Sequence, residues 1–171
     1  MIIGHIPAGY ALSRLLVPRF GRRGAAFLRA GVLGAVAPDL DVAYFFLVDH
    51  QQNNHHTYWS HFPVVWAGLL LLSLLWLGMA RRDSPAPLAL VFSLNGFVHM
   101  VLDSIVGGIR WLEPFADRSF LLIAVPQNYA IWWLNYVLHW TFAFELAVVV
   151  WAVCLWRLGA NPVNADARQG A

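Results

Sequence analysis

Between Phe62 and Ala80 the chain reads FPVVWAGLLLLSLLWLGMA, nineteen residues without a charge. At about 1.5 Å of rise per residue this run is long enough to cross a hydrocarbon core of roughly 30 Å. Inside lipid a backbone must satisfy its own N–H and C=O groups, and a single segment does so only as a helix. The run is therefore the strongest span, and it sets the rest of the fold: helices packed on helices.

Three more stretches follow the same logic. One runs from about Ile131 to Trp156, and one from about Pro87 to Gly107, which carries His99 and Asp103. The third, from about Ala25 to Val48, is interrupted by PDLD at 38–41. The first segment, IIGHIPAGYALSRLLV, is short and carries His5, Pro7 and Arg14, so it reads as a tilted or half-inserted helix. Its positive charges follow the apolar part and no small-residue cleavage site is evident, so it is expected to stay attached. With 60% hydrophobic and 12% charged residues, the chain is expected to be all-α: a polytopic membrane helical bundle of about four to five membrane segments, one broken at Pro38. Residues 1–159 form a single membrane-embedded domain on this reading, and 160–171 a disordered polar tail.

The basic residues are all arginine, eleven of them, and the formal net charge is +2. Arg14, Arg19, Arg22, Arg23 and Arg29 surround the first connection, Arg81 and Arg82 follow the strongest span, and Arg157 and Arg168 follow the last; Arg110 and Arg118 fall in the opposite loops. The positive-inside bias places the first group in the cytoplasm and turns the N-terminus and the 49–61 and 108–130 loops outward. Charges spaced in this way do not make a nucleic-acid surface. Cys154 is the only cysteine, which rules out a disulfide within one chain.

This orientation brings the unusual polar residues to one level near the outer surface. They are His5, Asp39, Asp41, His55, His56, His61, His99, Asp103 and His139. A carboxylate at mid-helix in a membrane costs about 2.5–3.5 kcal/mol on insertion scales, so Asp39, Asp41 and Asp103 left unpaired would cost on the order of 8–10 kcal/mol. Few arginines lie at that depth to pair with them. A bound cation would satisfy carboxylates and neutral imidazoles together.

The motifs are read on that basis. In HMVLD, His99 and Asp103 are four apart and share a helical face. In APDLD, Pro38 removes a donor and disfavours helix at Ala37, so the chain kinks or unwinds. Asp39 and Asp41 then point the same way if extended and roughly opposite ways if helical, and one can hold a metal while the other orients a ligand or acts as a base. In HQQNNHHTYWSH, His56 and His61 are five apart and need a turn between them to share a metal. His55 ranks third, and His50 reads as an ordinary loop residue. His5 is a candidate ligand or a donor behind one. His139 reads equally as a ligand and as a satisfied bundle residue, and Glu145 as structural. Arg110 and Arg118 are candidates for an anionic head group, with plain surface anchoring the stronger reading.

Taken together, the early His5 with glycine beside it, PDLD at 38–41, HTYWSH at 56–61 and HMVLD at 99–103 resemble the bacterial inner-membrane family of LexA-regulated, YdjM-like metal-dependent hydrolases. The HTYWSH block is similar to that family's His-Arg-x-x-Thr-His-Ser motif, with Thr57 where arginine is frequent and Phe62 where serine is frequent. More distantly, the order Asp, His, His-x-x-x-Asp is similar to part of the site in the zinc phospholipase C and P1-nuclease superfamily, which implies a phosphoester. That superfamily's second His-x-x-x-Glu element has no counterpart here, because Ala143 stands four after His139.

The expectation is a multi-pass inner-membrane hydrolase with its site facing outward. His5, Asp39, Asp41, His56, His61, His99 and Asp103 are the candidate metal ligands, and Asp41 and His61 the candidate catalytic residues. Zinc is the favoured divalent ion given the mixed His and Asp donors. The substrate is an ester or phosphoester of a membrane lipid or lipid-linked molecule. The alternatives are a di-iron oxidase of the desaturase kind and a non-enzymatic ion- or proton-handling protein. The sequence leaves the oligomeric state open.

Overall fold

The computed structural model of the protein describes residues 1–20, 24–81 and 83–160. The expectations for Arg22, Arg23, Arg82, Arg168 and the tail beyond Ala160 lie outside the described residues. The fold is helical: α1 His5–Phe20, α2 Gly24–Val36, α3 Asp41–Leu47, α4 Pro63–Met79, α5 Ala86–Asp103, α6 Trp132–Val137 and α7 Phe142–Ala160. Short 3-10 turns occupy Ala37–Leu40, His55–Thr57 and Trp59–His61. No strand occurs among the described residues; one isolated antiparallel bridge joins Ile109 and Phe120.

Three helical stretches are long and apolar enough to cross a membrane: Gly24–Leu47, Ala86–Asp103 and Phe142–Gly159. The run expected to be the strongest span folds as α4, seventeen residues, apolar but shorter than these three. The expected span from Ile131 to Trp156 is corrected. The chain turns at 138–141, between α6 and α7, so His139 sits in a turn and the span begins at Phe142. The expected break at Pro38 takes a milder form, since the chain tightens there into a 3-10 turn and passes directly into α3. Proline at the start of a tightened turn forfeits no N–H that the turn needs.

Helix α5 lies at the centre, packed on α1, α2 and α4, and α7 packs on α1. Its buried positions include Val91, Asn95, His99, Met100 and Asp103, one helical stripe. Asn95 Nδ2 donates to Ser13 Oγ (3.2 Å) and to the Val91 carbonyl (2.8 Å), and Ser93 Oγ donates to Ser73 Oγ (3.0 Å). Such hydrogen bonds between small polar side chains join helices where lipid supplies no hydrophobic drive. The outward faces of α4 and α7 leave Leu72, Leu75, Val150 and Trp156 exposed, as lipid-facing helices do.

The α2–α5 contact is close at Gly34, where a Cβ would lie 2.1 Å from the Phe92 carbonyl oxygen and 2.8 Å from its Cα. Backbone cannot swing aside as a side chain can. Gly34→Ala is therefore expected to force the two helices apart at a cost of about 1–3 kcal/mol. Thermal unfolding of the variant in detergent, beside wild type, checks this; an unchanged midpoint would show that the contact is not close.

Candidate metal centre

The carbonyl three residues before Pro38 belongs to Ala35, and Pro38 has no N–H to offer it. His99 fills that place, with Nδ1 2.7 Å from the Ala35 oxygen. A carbonyl only accepts, so Nδ1 carries the hydrogen and a neutral His99 turns the lone pair of Nε2 away from α2. The same logic holds at His61, whose Nδ1 lies 2.6 Å from Asp41 Oδ2. Ser60 Oγ donates to the same oxygen at 2.5 Å. A carboxylate behind an imidazole fixes its tautomer and raises the basicity of the far nitrogen, an arrangement common behind metal ligands.

The two Nε2 atoms face two carboxylates. His99 Nε2 lies 3.0 Å from Asp103 Oδ2 and 3.5 Å from Asp39 Oδ1; His61 Nε2 lies 3.6 Å from Asp39 Oδ1 and 3.9 Å from Asp103 Oδ2. One ligand atom from each of these four residues lies within 4.8 Å of the other three. Donors at about 2.0–2.1 Å from a tetrahedral ion stand about 3.4 Å from one another, and the observed separations bracket that value. His61 Nε2, His99 Nε2 and Asp103 Oδ2 are buried and make no hydrogen bond. Acceptors turned on acceptors with no donor between them are what a cation would relieve.

A second ring of groups surrounds these four. His5 stacks on His99 with ring centroids 3.7 Å apart, and its Nε2, also without a hydrogen bond, lies 3.2 Å from Asp103 Oδ1. The Met1 ammonium contacts the same oxygen. His56 Nε2 lies 3.7 Å from Asp103 Oδ2, and His55 Nδ1 lies 3.6 Å from Asp41 Oδ1. Burial pushes the His56 imidazole down to about 3, so at neutral pH this ring is uncharged with a lone pair to give. The ring comes this close because Gly107 has no side chain: a Cβ there would lie 2.6 Å from His56 Cε1. His55, His56 and His61 make a second three-residue group that shares His61 with the first. With Nδ1 of His61 engaged by Asp41, one lone pair remains for both groups, so they cannot each hold an ion through it.

Of the residues singled out from sequence, His5, Asp39, Asp41, His56, His61, His99 and Asp103 come together here. His55 joins them, drawn in by the 3-10 turn that Asn54 caps at His56 N (3.0 Å). His139 does not: its Nδ1 pairs with Thr141 Oγ1 at 2.9 Å. His50 lies in the 48–54 turn with φ 50°. Arg110 is bound by Glu113 and Asp117, each at 3.1 Å, which removes it as a free site for an anionic head group. Sequence reasoning passed over Ser60 and the Ala35 carbonyl. The proline spacing was the available signal for the carbonyl.

Asp41→Asn tests the orienting role. An amide keeps the shape but not the charge behind His61, and metal affinity is expected to fall about 10–100-fold, the range typical of a lost partner behind a ligand. Competition with a chelator measures it, and an unchanged affinity would dismiss the role.

Residues 1–165 match the family model described as YdjM inner membrane protein. No curated protein and no solved structure matches the chain.

Proposed function

The chain belongs to the YdjM inner membrane protein family, and from that premise we propose that it is a metal-dependent hydrolase. It acts at the outer face of the inner membrane on an ester or phosphoester of a lipid or lipid-linked substrate. The observation that carries this reading is that His61 Nε2, His99 Nε2 and Asp103 Oδ2, buried and without a hydrogen bond, converge with Asp39 Oδ1.

Those four residues would hold a divalent ion, zinc by the chemistry of the donors. Such an ion, when bound, supplies Lewis-acid polarisation and a water of lowered pKa. The chain's own residues do the rest. Asp41 and Ser60 hold His61 in one tautomer, and the Ala35 carbonyl does the same for His99. His55, at the rim and not needed to complete the four, is placed to pass a proton to or from a substrate oxygen, and the uncharged His56 beside it to hydrogen-bond the substrate. Asp39 and Asp41, two apart in PDLD, would thereby take different tasks: one faces the ion and the other orients a ligand.

The arginines support the outward orientation. Arg19, Arg81 and Arg157 lie in the last turn of α1, just past α4 and in the last turn of α7. Each is at the end remote from His5, His61 and Glu145, as the positive-inside bias requires if the site faces outward.

Metal analysis of the full-length chain purified in detergent tests the reading. About one zinc ion per chain is the expected result, given one complete four-donor set. Iron in its place would point to oxidase chemistry instead, and a chain that retains no transition metal under any loading condition would overturn the proposal.

A further inference from the structure

A cleft of about 830 Å³ opens directly above the four-residue centre, with Asp39, His55, His56 and Asp103 on its floor. Its walls come from four separate pieces of chain and are mostly apolar. Phe45 and Phe46 stand on α3, Val106 follows α5, Leu121 and Val125 lie on the outer loop, and Trp132 opens α6. The outer loop is pinned in place by backbone hydrogen bonds from Leu122 N to Ser104 O and Ile123 N to Ile105 O, both 2.9 Å. The cleft wall is therefore tied to the end of the helix that carries His99 and Asp103.

Two properties of this space decide what it can hold. First, its apolar walls continue outward into side chains that are themselves exposed: Phe46 is 53%, Leu121 42% and Trp132 63% exposed. An apolar cleft whose mouth merges with apolar surface receives a chain from lipid without that chain crossing water. Second, among the described residues its lining carries no arginine, and the Met1 ammonium on it is already taken by Asp103. Phosphate recognition calls for arginine forks, lysine, a helix N-terminus or metal ions, and a single ion on the floor leaves most of a phosphate's charge without a partner. Here the titratable floor is two carboxylates and two imidazoles.

We propose that this cleft takes the hydrocarbon chain of an uncharged lipid carboxylic ester, entering sideways from the bilayer, with the ester carbonyl delivered over Asp39 and Asp103. The assignment of the reacting end rests on the hydrolase reading above; the assignment of the chain-binding cleft does not. Hydrolysis of such a compound forms a bond from water oxygen to the acyl carbon and breaks the acyl carbon–oxygen bond. One water proton passes to the leaving alkoxide, and a fatty acid and an alcohol result.

The test uses the full chain in phospholipid vesicles and a hexadecanoyl ester carrying a photoactivatable diazirine on its chain. Mass spectrometry maps the adducts. Labels are expected in 121–125 and at Phe45 or Phe46, besides the lipid-facing side of α4, which serves as the internal control. Excess hexadecyl acetate is expected to lower cleft labelling at least about fivefold relative to α4, as burial of a long chain in a specific site demands. Hexadecyl phosphate and ethyl acetate at equal concentration should leave it unchanged.

Ala124→Trp, which fills the cleft from an exposed position away from the metal ligands, and Leu121→Asp, which puts a charge in its wall, should each abolish the competable labelling while zinc content stays at the wild-type level. Labelling that matches α4 under all competitors, that hexadecyl phosphate displaces as well as the acetate does, or that survives both substitutions would overturn the proposal. Zinc content measured on the same samples keeps the two readings apart. Competable labelling on a chain that never holds metal would uphold the cleft and end the hydrolase.

Discussion

Asp103→Ala is expected to strip the purified protein of the zinc proposed for this site and of the proposed hydrolytic activity, while leaving its helical content intact. Asp103 closes α5 and is 1% exposed, and its Oδ2 lies within 3.0–3.9 Å of the Nε2 atoms of His99, His56 and His61. Removing it takes away one of the four donors and one of the two carboxylate charges that would face the proposed ion. Losing a group behind a ligand already weakens metal sites about 10–100-fold, so loss of a donor should exceed that and put retention through dialysis beyond reach. His99→Ala should behave alike, for it deletes the donor one helical turn away. The competing arrangement is a doubly protonated His99 paired with Asp103, with no ion involved. In that case Asp103→Ala would leave an uncompensated buried charge and cost roughly 3–5 kcal/mol of stability, with metal content equal to wild type. Metal analysis and thermal unfolding of the two variants, read together, separate these cases. Equal metal in all three proteins removes both residues from the coordination shell.

Residues whose spacing in the chain equals their spacing in space could be read directly from sequence. His99 and Asp103 share a face because four residues make a helical turn. The pairing of His56 with His61 required a turn, and tandem 3-10 turns provide it. Regular-structure arithmetic ranks His55 third, because adjacent residues diverge on a helix or strand, whereas the short 3-10 turn at 55–57 brings its ring beside those of His56 and His61. His55 lies 4.2 Å from His56 and 5.1 Å from His61 between ring centroids. It also left Asp39 and Asp41 undivided. Both reach the site from a helical turn, one from its inner side and one from behind His61, and that division depends on where α4 enters rather than on the spacing within PDLD. The turn at 138–141 escaped notice because LHWT contains neither Gly nor Pro and its apolar composition continues that of α7. The His and Asp side chains showed themselves as an anomaly in an apolar chain, whereas Ser60 and the Ala35 carbonyl are ordinary groups made useful only by tertiary contact.

Glu145 belongs to that second class, and its loss should be the most damaging change outside the centre itself. It stands in the first turn of α7, 4% exposed. Its Oε2 accepts from the N–H groups of Ile2 (2.9 Å), Ile3 (2.7 Å) and Gly4 (3.0 Å), and Oε1 from Ile2 at 3.1 Å. Three successive backbone donors form a nest around one carboxylate, and His5 is the next residue along. The carboxylate thus fixes the segment that seats His5 on His99 and ties it to α7. With alanine at 145 three partly buried N–H groups lose their acceptor. Each costs about 1–3 kcal/mol when left dry, and water reaching the gap should limit the sum to about 3 kcal/mol. Glu145→Gln should lie nearer to alanine than to wild type, since its NH2 meets a nest of donors with a further donor. Deuterium exchange at the amides of residues 2–4 should quicken in both variants, and chelator competition should show weaker metal retention as His5 loses its seat. A glutamine variant that unfolds at the wild-type temperature and protects those amides as wild type does would show that the charge on Glu145 holds nothing in place.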